Sequence, residues 1–448
     1  ALRFTCFQAG ASALFAVAGG FIGALGLLAF SRRRWRSLLE FFILLPAFLP
    51  ALFVILPYMN ILSFFKWSPF GLSGIVAIQV IMTMGLVTLI VARILESKVG
   101  TMVELAWLEG ASRWIILRSA VIPLLRMDLA SLYFYLFTLF FASFSVPLIL
   151  GGPESLTLEI LIYEKVRLSE NWAEAFSLGI FQIAILFFLS LGVRETWGER
   201  SEQSSNLICI SLPCFLIFPL AATLLVVMGH LEGLSHSLSI FLNSPVLLSQ
   251  LPSLIGGTLY VSGGVGLLIL FLLLLVAGLS PHWGLDRFLM GYTAPSTVLT
   301  GFAFLLLGVG GWWQVHFVLI LGLSILMLPA LYRMMGRSIL FSLRQQLIVA
   351  RIAGASWALI FTRIVVPQVW RDFCWLAGIG AFWASGDFAL STLLAEGNTT
   401  IALTAKAYMS SYHLEVATIL NLILLLIGAL CLLSFGGLSR VFGEKPRS

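Results

Sequence analysis

The side chains able to do acid–base, metal or nucleophilic chemistry are few and scattered. Asp387 is the one clear acid deep in an apolar segment. A carboxylate in lipid surroundings is costly, so it is by default a candidate ion or proton site. Capping or hydrogen-bonding nearby backbone is the competing structural role. His230, His236, His282 and His413 fall in loops or at segment ends, and His316 lies near one end. No His-Glu-x-x-His or other metal-ligand spacing links them. Cys6, Cys209, Cys214, Cys374 and Cys431 lie singly in apolar stretches, as small core residues. Ser73, in Gly71-Leu72-Ser73-Gly74, has the surroundings of a nucleophile, but it opens an apolar segment, where serine ordinarily caps a helix. No base is placed beside it, so the match reads as chance. None of the five lysines follows a glycine, so the Gly-Lys-Ser/Thr of a phosphate-binding loop is absent. These residues point to no enzyme, no metal and no nucleotide site within the chain.

The elements that carry them are apolar throughout. Hydrophobic residues make up 60% of the 448 positions and charged residues 10%, with a mean hydropathy of +1.04. A water-facing globular surface needs about 25% charged residues. The apolar residues also fall in blocks of about 20, enough to cross a ~30 Å hydrocarbon core as a helix. Ten-residue alternating segments of a β-barrel do not recur. The chain therefore reads as an all-α polytopic membrane protein. Its eleven expected spans are 5–30, 40–60, 71–93, 127–150, 173–194, 207–229, 253–280, 288–310, 313–335, 373–395 and 415–438. On this layout Arg3, Lys66, Lys165, Arg167 and Lys406 fall on one side, and the other 21 of the 26 basic residues on the opposite side. That second side is then cytoplasmic, with Ser448 on it and Ala1 outside. The odd count favours a further helix before residue 1. Basic residues spread over short loops, despite a net charge of +6, form no nucleic-acid surface.

Two long cytoplasmic loops, 94–126 and 336–372, look alike. Gly110-Ala111-Ser112 reaches Pro123 thirteen residues after its glycine, and Gly354-Ala355-Ser356 reaches Pro367 after the same interval. At this offset of 244, Ala106 matches Ala350, Asp128 matches Asp372 and Phe144 matches Phe388. Repeats of this kind are a common transporter plan. Each loop is expected to form two short helices, with glycine relaxing the joint and serine capping the second helix. Their apolar residues (Leu105, Trp107 and Leu108; Leu347, Ile348 and Ile352) call for a partner on the cytoplasmic side.

Glu104-Leu105-Ala106, Gly110 and Pro123 resemble the EAA loop of bacterial binding-protein-dependent ABC importer permeases. Further segments are similar to fused two-half permeases of the thiamine and ferric-iron type, most nearly the thiamine type. They are Trp67-Ser68-Pro69-Phe70-Gly71-Leu72, Phe141-Ala142-Ser143-Phe144, Leu150-Gly151-Gly152-Pro153 and Ser385-Gly386-Asp387-Phe388. The resemblance implies a type I importer permease of two repeated halves, 1–200 and 207–440, in the bacterial cytoplasmic (inner) membrane. It implies two copies of a cytoplasmic ABC ATPase, which hold ATP and magnesium, and a periplasmic or lipid-anchored substrate-binding protein. Glu104, Ala106, Gly110, Ala111 and Pro123 would form one ATPase-coupling site, and Ala350, Gly354, Ala355 and Pro367 the other. Leu105 and Ile348 depart from the family pattern, so the second site lacks its glutamate. The translocation path is expected near Ser143, Ser145, Ser385 and Asp387, although small residues there also serve close helix packing. Glu159 and Glu164, in the first outer loop, are expected either to meet the binding protein or to be solvated. An ion-coupled secondary transporter using Asp387 is the competing function.

Overall fold

A computed structural model describes residues 1–30, 34–152, 155–190, 210–231, 234–279, 289, 296–307, 312–394 and 399–440. Cys209, His282, residues 201–206 and much of the expected span 288–310 lie outside these residues. Among the described residues every element is helical. Seven helices are long and apolar enough to cross a membrane: Leu2–Phe30, Leu72–Val99, Trp172–Leu189, Pro213–Leu231, Pro245–Leu279, Gln314–Ile352 and Leu414–Leu438. Ile122–Phe141 and Val366–Ser385 are further 20-residue helices, at the expected fourth and tenth spans. With no water inside lipid, helices satisfy every backbone group within the segment.

The expected second span, 40–60, is not a straight helix. It is a pair, Arg36–Phe48 and Ala51–Phe64, bent by 93°. Leu49 is extended and Pro50 opens the second helix. Proline lacks an N–H and drives its preceding residue out of the helical region, so hydropathy continues across a break that the backbone cannot. The expected fourth and tenth spans also stop early, at Phe141 and Ser385. After three-residue breaks the short helices Ser145–Leu150 and Ala389–Leu394 follow.

The chain forms two compact units, Ala1–Glu232 and Gly233–Ser448. Helix Ile217–Leu231, which the sequence reading placed at the head of the second half, is packed in the first unit. Its Thr223 hydroxyl donates to the Phe42 carbonyl at 2.8 Å, and Asn60 Nδ2 donates to the Gly229 carbonyl at 3.0 Å. Within the first unit Leu2–Leu27 lies along Leu72–Ile94 on a seam of small residues. A Cβ on Gly20 would stand 2.3 Å from the Val87 side chain. Within the second unit Val366–Ser385 sits between Pro245–Leu279 and Leu414–Leu438, with Gly266 against Phe435 and Ala381. Lipid tails give helices no hydrophobic reason to associate, so such close backbone approach supplies van der Waals contact instead.

The repeat is structural. Gly100–Leu108, Arg113–Ile116, Ile122–Phe141 and Ser145–Leu150 recur, each displaced by 244 residues, as Arg344–Ile352, Trp357–Ile360, Val366–Ser385 and Ala389–Leu394. Side chains repeat as well. Thr157 caps Leu158–Arg167 and Thr400 caps Ile401–Ser410. The first N–H of each helix is held by a threonine from a long membrane helix: Leu158 by Thr5 at 2.9 Å, and Ile401 by Thr258 at 3.0 Å.

Candidate functional site

The two loops singled out by sequence adopt one geometry. Helix Gly100–Leu108 ends at Glu109, and Gly110 has φ +81°; helix Arg344–Ile352 ends at Ala353, and Gly354 also has φ +81°. The Gly110 N–H bonds to the Trp107 carbonyl at 3.0 Å, and the Ala111 N–H to the Ala106 carbonyl at 3.0 Å. Gly354 bonds to Arg351 at 2.9 Å, and Ala355 to Ala350 at 3.1 Å. This pair of bonds is the Schellman helix ending, and its left-handed residue favours glycine. The matched residues Ala106, Gly110 and Ala111, with Ala350, Gly354 and Ala355, are thus the bonding atoms of one turn used twice. Ser112 and Ser356 stand at the N-cap of the next helices, yet their hydroxyls make no capping bond. The glycine side of the joint secures it instead.

Four π-helical turns bracket the loops: Leu95–Val99 and Leu117–Val121 around the first, Tyr332–Gly336 and Phe361–Val365 around the second. Pro123 and Pro367 are each the second residue of the helix after the later π-turn. A proline inside a helix lacks an N–H and crowds the preceding turn, which a widened turn relieves.

The loops present apolar side chains outward at matching positions. Leu108 is 80% exposed and Ile352 81%; Leu105 is 58% and Val349 65%; Ile115 is 55% and Leu359 52%. Exposed apolar groups gathered on a short, capped element mark an interaction surface. Ile348, standing where Glu104 stands in the first loop, is exposed and extends the apolar face.

The intramembrane candidates take local structural tasks. Asp387 accepts from the Leu390 N–H at 3.1 Å at the start of Ala389–Leu394, as an N-cap does. Ser385 is buried, and its hydroxyl donates to the Phe382 carbonyl at 2.7 Å beside Gly428. Ser143 lies in the break after Phe141, its N–H on the Phe140 carbonyl at 3.2 Å, and Ser145 is the first residue of the next helix. Glu159 corrects the expectation of a solvated outer acid. It is fully buried, and Gln182 donates to its carboxylate. Sequence reasoning also missed Gln8 and Gln79, buried between their helices with a side-chain bond of 2.5 Å. Their spacing of 71 residues carries no periodic signal. Glu164 is half-buried, on the same helix as Glu159.

Comparison with known proteins adds a family match over part of the chain. Residues 16–196 match the family described as "Binding-protein-dependent transport system inner membrane component". The chain is similar to the thiamine transport system permease protein ThiP of Escherichia coli (strain K12), 27% identical over 199 residues, 40% of this chain and 36% of that protein. It is also similar to the protein of that name from Brucella abortus (strain 2308), 30% identical over 216 residues, 45% of this chain and 40% of that protein. The matched stretch thus spans about two fifths of these relatives' length. No solved structure matches. The matches bear out the resemblance, read from the residues, to binding-protein-dependent permeases of the thiamine type.

Proposed function

We propose that this chain, whose residues 16–196 match the binding-protein-dependent transport family, is the membrane subunit of an ATP-driven importer. The observation that carries the reading is the duplicated loop, one glycine-ended turn built twice with its apolar residues exposed in register. Two equal docking surfaces fit two copies of a cytoplasmic ATPase subunit, which would bind ATP and magnesium. Nucleotide-driven movement of those subunits would push on both loops and switch the permease between outward and inward access, moving solute inward. A periplasmic or lipid-anchored binding protein would deliver the solute to the opposite face. Bacterial inner membrane, with a cytoplasmic C-terminus, is the location this reading requires, and the asymmetry of basic residues supports that orientation.

Thiamine is the proposed cargo. Its support is the similarity to thiamine permeases together with the segments Trp67–Leu72 and Ser385–Phe388. Ferric iron is the second cargo, resting on resemblance alone. The role of Asp387 as a helix cap favours neither ion coupling nor a binding site for a coupling ion.

The test is partner capture. The chain is tagged at its C-terminus, purified gently from native membranes, and its partners are identified by mass spectrometry. A parallel sample carries Gly110→Arg and Gly354→Arg. An ATPase subunit recovered with the wild type and lost from the double variant is the expected result. A folded wild-type chain recovered without any ATPase, beside a control importer that keeps its own, would overturn the reading.

A further inference from the structure

The first loop is tied at its base by ions. Lys98, in the π-turn before the loop, places Nζ 2.8 and 2.9 Å from the two carboxylate oxygens of Asp128, in the helix after it. Asp128 is buried. In the same π-turn Glu96 receives two bonds from the Arg36 guanidinium, at 2.6 and 3.0 Å, and Arg36 also holds Glu40 at 2.7 Å. From Gly100 onward the second loop has the same helices, but the π-turn before it, Tyr332–Gly336, lies seven residues earlier than the displacement would place it, and the ties differ. At the 244-residue displacement Lys98 becomes Ser342, whose hydroxyl donates to its own helix at Ile339. Asp128 becomes Asp372, which is exposed. The second loop is joined to its following helix by an exposed neutral bond, Gln368 Nε2 to Gln346 Oε1 at 2.7 Å; its Trp357 Nε1 donates to the Gly278 carbonyl at 3.0 Å, and Arg351 lies over the Trp357 ring.

Lys98 is exposed, its side chain 45% accessible, whereas that of Asp128 is 10% accessible; the cost of separating them lies with the carboxylate, which would be left as an unpaired charge in a buried place. An exposed amide–amide bond exchanges readily for water. We propose that Lys98 and Asp128 form a latch across the base of the first loop, an ion pair that ties the loop to helix Ile122–Phe141 and that the second loop does not repeat at the matching positions. The inference rests on the importer reading. It adds that the two docking surfaces, alike in shape, are tied at their bases by different chemistry. Lys98 and Asp128 are positioning residues: they touch no solute, and they fix helices Gly100–Leu108 and Arg113–Ile116 against Ile122–Phe141.

The test uses the purified complex of this chain with its ATPase subunit, in four forms: wild type, Lys98→Ala, Lys98→Asp with Asp128→Lys, and Gln346→Ala. Amide hydrogen exchange is followed over 100–116 and 344–360, together with labelled thiamine imported per ATP hydrolysed in proteoliposomes. Lys98→Ala is expected to keep its ATPase subunit, to speed exchange over 100–116 by about tenfold while leaving 344–360 unchanged, and to lower import per ATP. The charge-reversed pair is expected to restore both. Gln346→Ala is expected to alter exchange over 344–360 by less than about twofold. Unchanged exchange in Lys98→Ala, or no rescue by the reversed pair, overturns the latch. Loss of the ATPase subunit from Lys98→Ala alone also overturns it, because the pair would then shape the docking surface rather than tie the base of the loop. Failure of the importer reading shows separately, as a wild-type chain that captures no ATPase.

Discussion

At the scale of single residues, the turn glycines and Asp387 carry the sharpest expectations. Gly110 and Gly354 have open space where a Cβ would stand, but φ +81° penalises any side chain. Gly110→Ala is expected to cost about 1 kcal/mol from backbone strain alone, read as a lower unfolding temperature of the purified chain. Asp387→Asn should import as the wild type does, because asparagine caps a helix about as well as aspartate. Folded Asp387→Asn protein that no longer transports would revive ion coupling. The glycines were legible in the sequence because a left-handed helix ending selects one residue type and leaves it at a fixed spacing. Glu159 was not, because its partner Gln182 stands 23 residues away, on another helix. Outer-loop position alone made the acid look solvated. Lys98 and Asp128, 30 residues apart, stayed hidden for the same reason.

At the scale of helices, hydropathy located the spans and misplaced their ends. It read straight through Leu49–Pro50, where the chain turns by 93°, and through the breaks after Phe141 and Ser385. Apolar character is a property of surroundings, whereas a break is set by backbone hydrogen bonding; the two diverge wherever a broken helix stays inside the bundle. The packing seams were equally silent in composition. Gly20 looks like any glycine of a membrane helix until Val87 is seen 2.3 Å from the place of its Cβ. Gly20→Leu is therefore expected to destabilise the first unit by about 1–3 kcal/mol through overpacking. Thermal unfolding in detergent checks this, with Gly263→Leu, which faces open space, as the neutral control.

At the scale of the whole molecule, duplication is the feature that organises everything else. The 244-residue displacement found between two Gly-Ala-Ser segments extends over four successive pairs of helices, further than the sequence matches alone reach. Where the two units divide was less legible. Ile217–Leu231 follows the joint in sequence yet packs among Arg36–Phe48 and Ala51–Phe64, because Thr223 and Asn60 find their partners there. If both loops dock, neither is redundant. Leu108→Asp and Ile352→Asp, each placing a charge on an equally exposed apolar position, should each weaken ATPase capture by about 2 kcal/mol or more. Together they should abolish it. Quantitative pull-down of the ATPase subunit measures all three variants.

The exposed faces of the two loops also bear on how the chain is made in a cell. Leu108, Ile352 and their neighbours are exposed apolar groups, and uncovered apolar surface of this kind is what quality-control proteases and chaperones recognise. On the importer reading, a chain synthesised ahead of the ATPase subunit would display two degradation signals, and assembly would mask both. On that reading its abundance should follow the supply of ATPase subunit, a post-translational means of keeping an importer's parts in proportion.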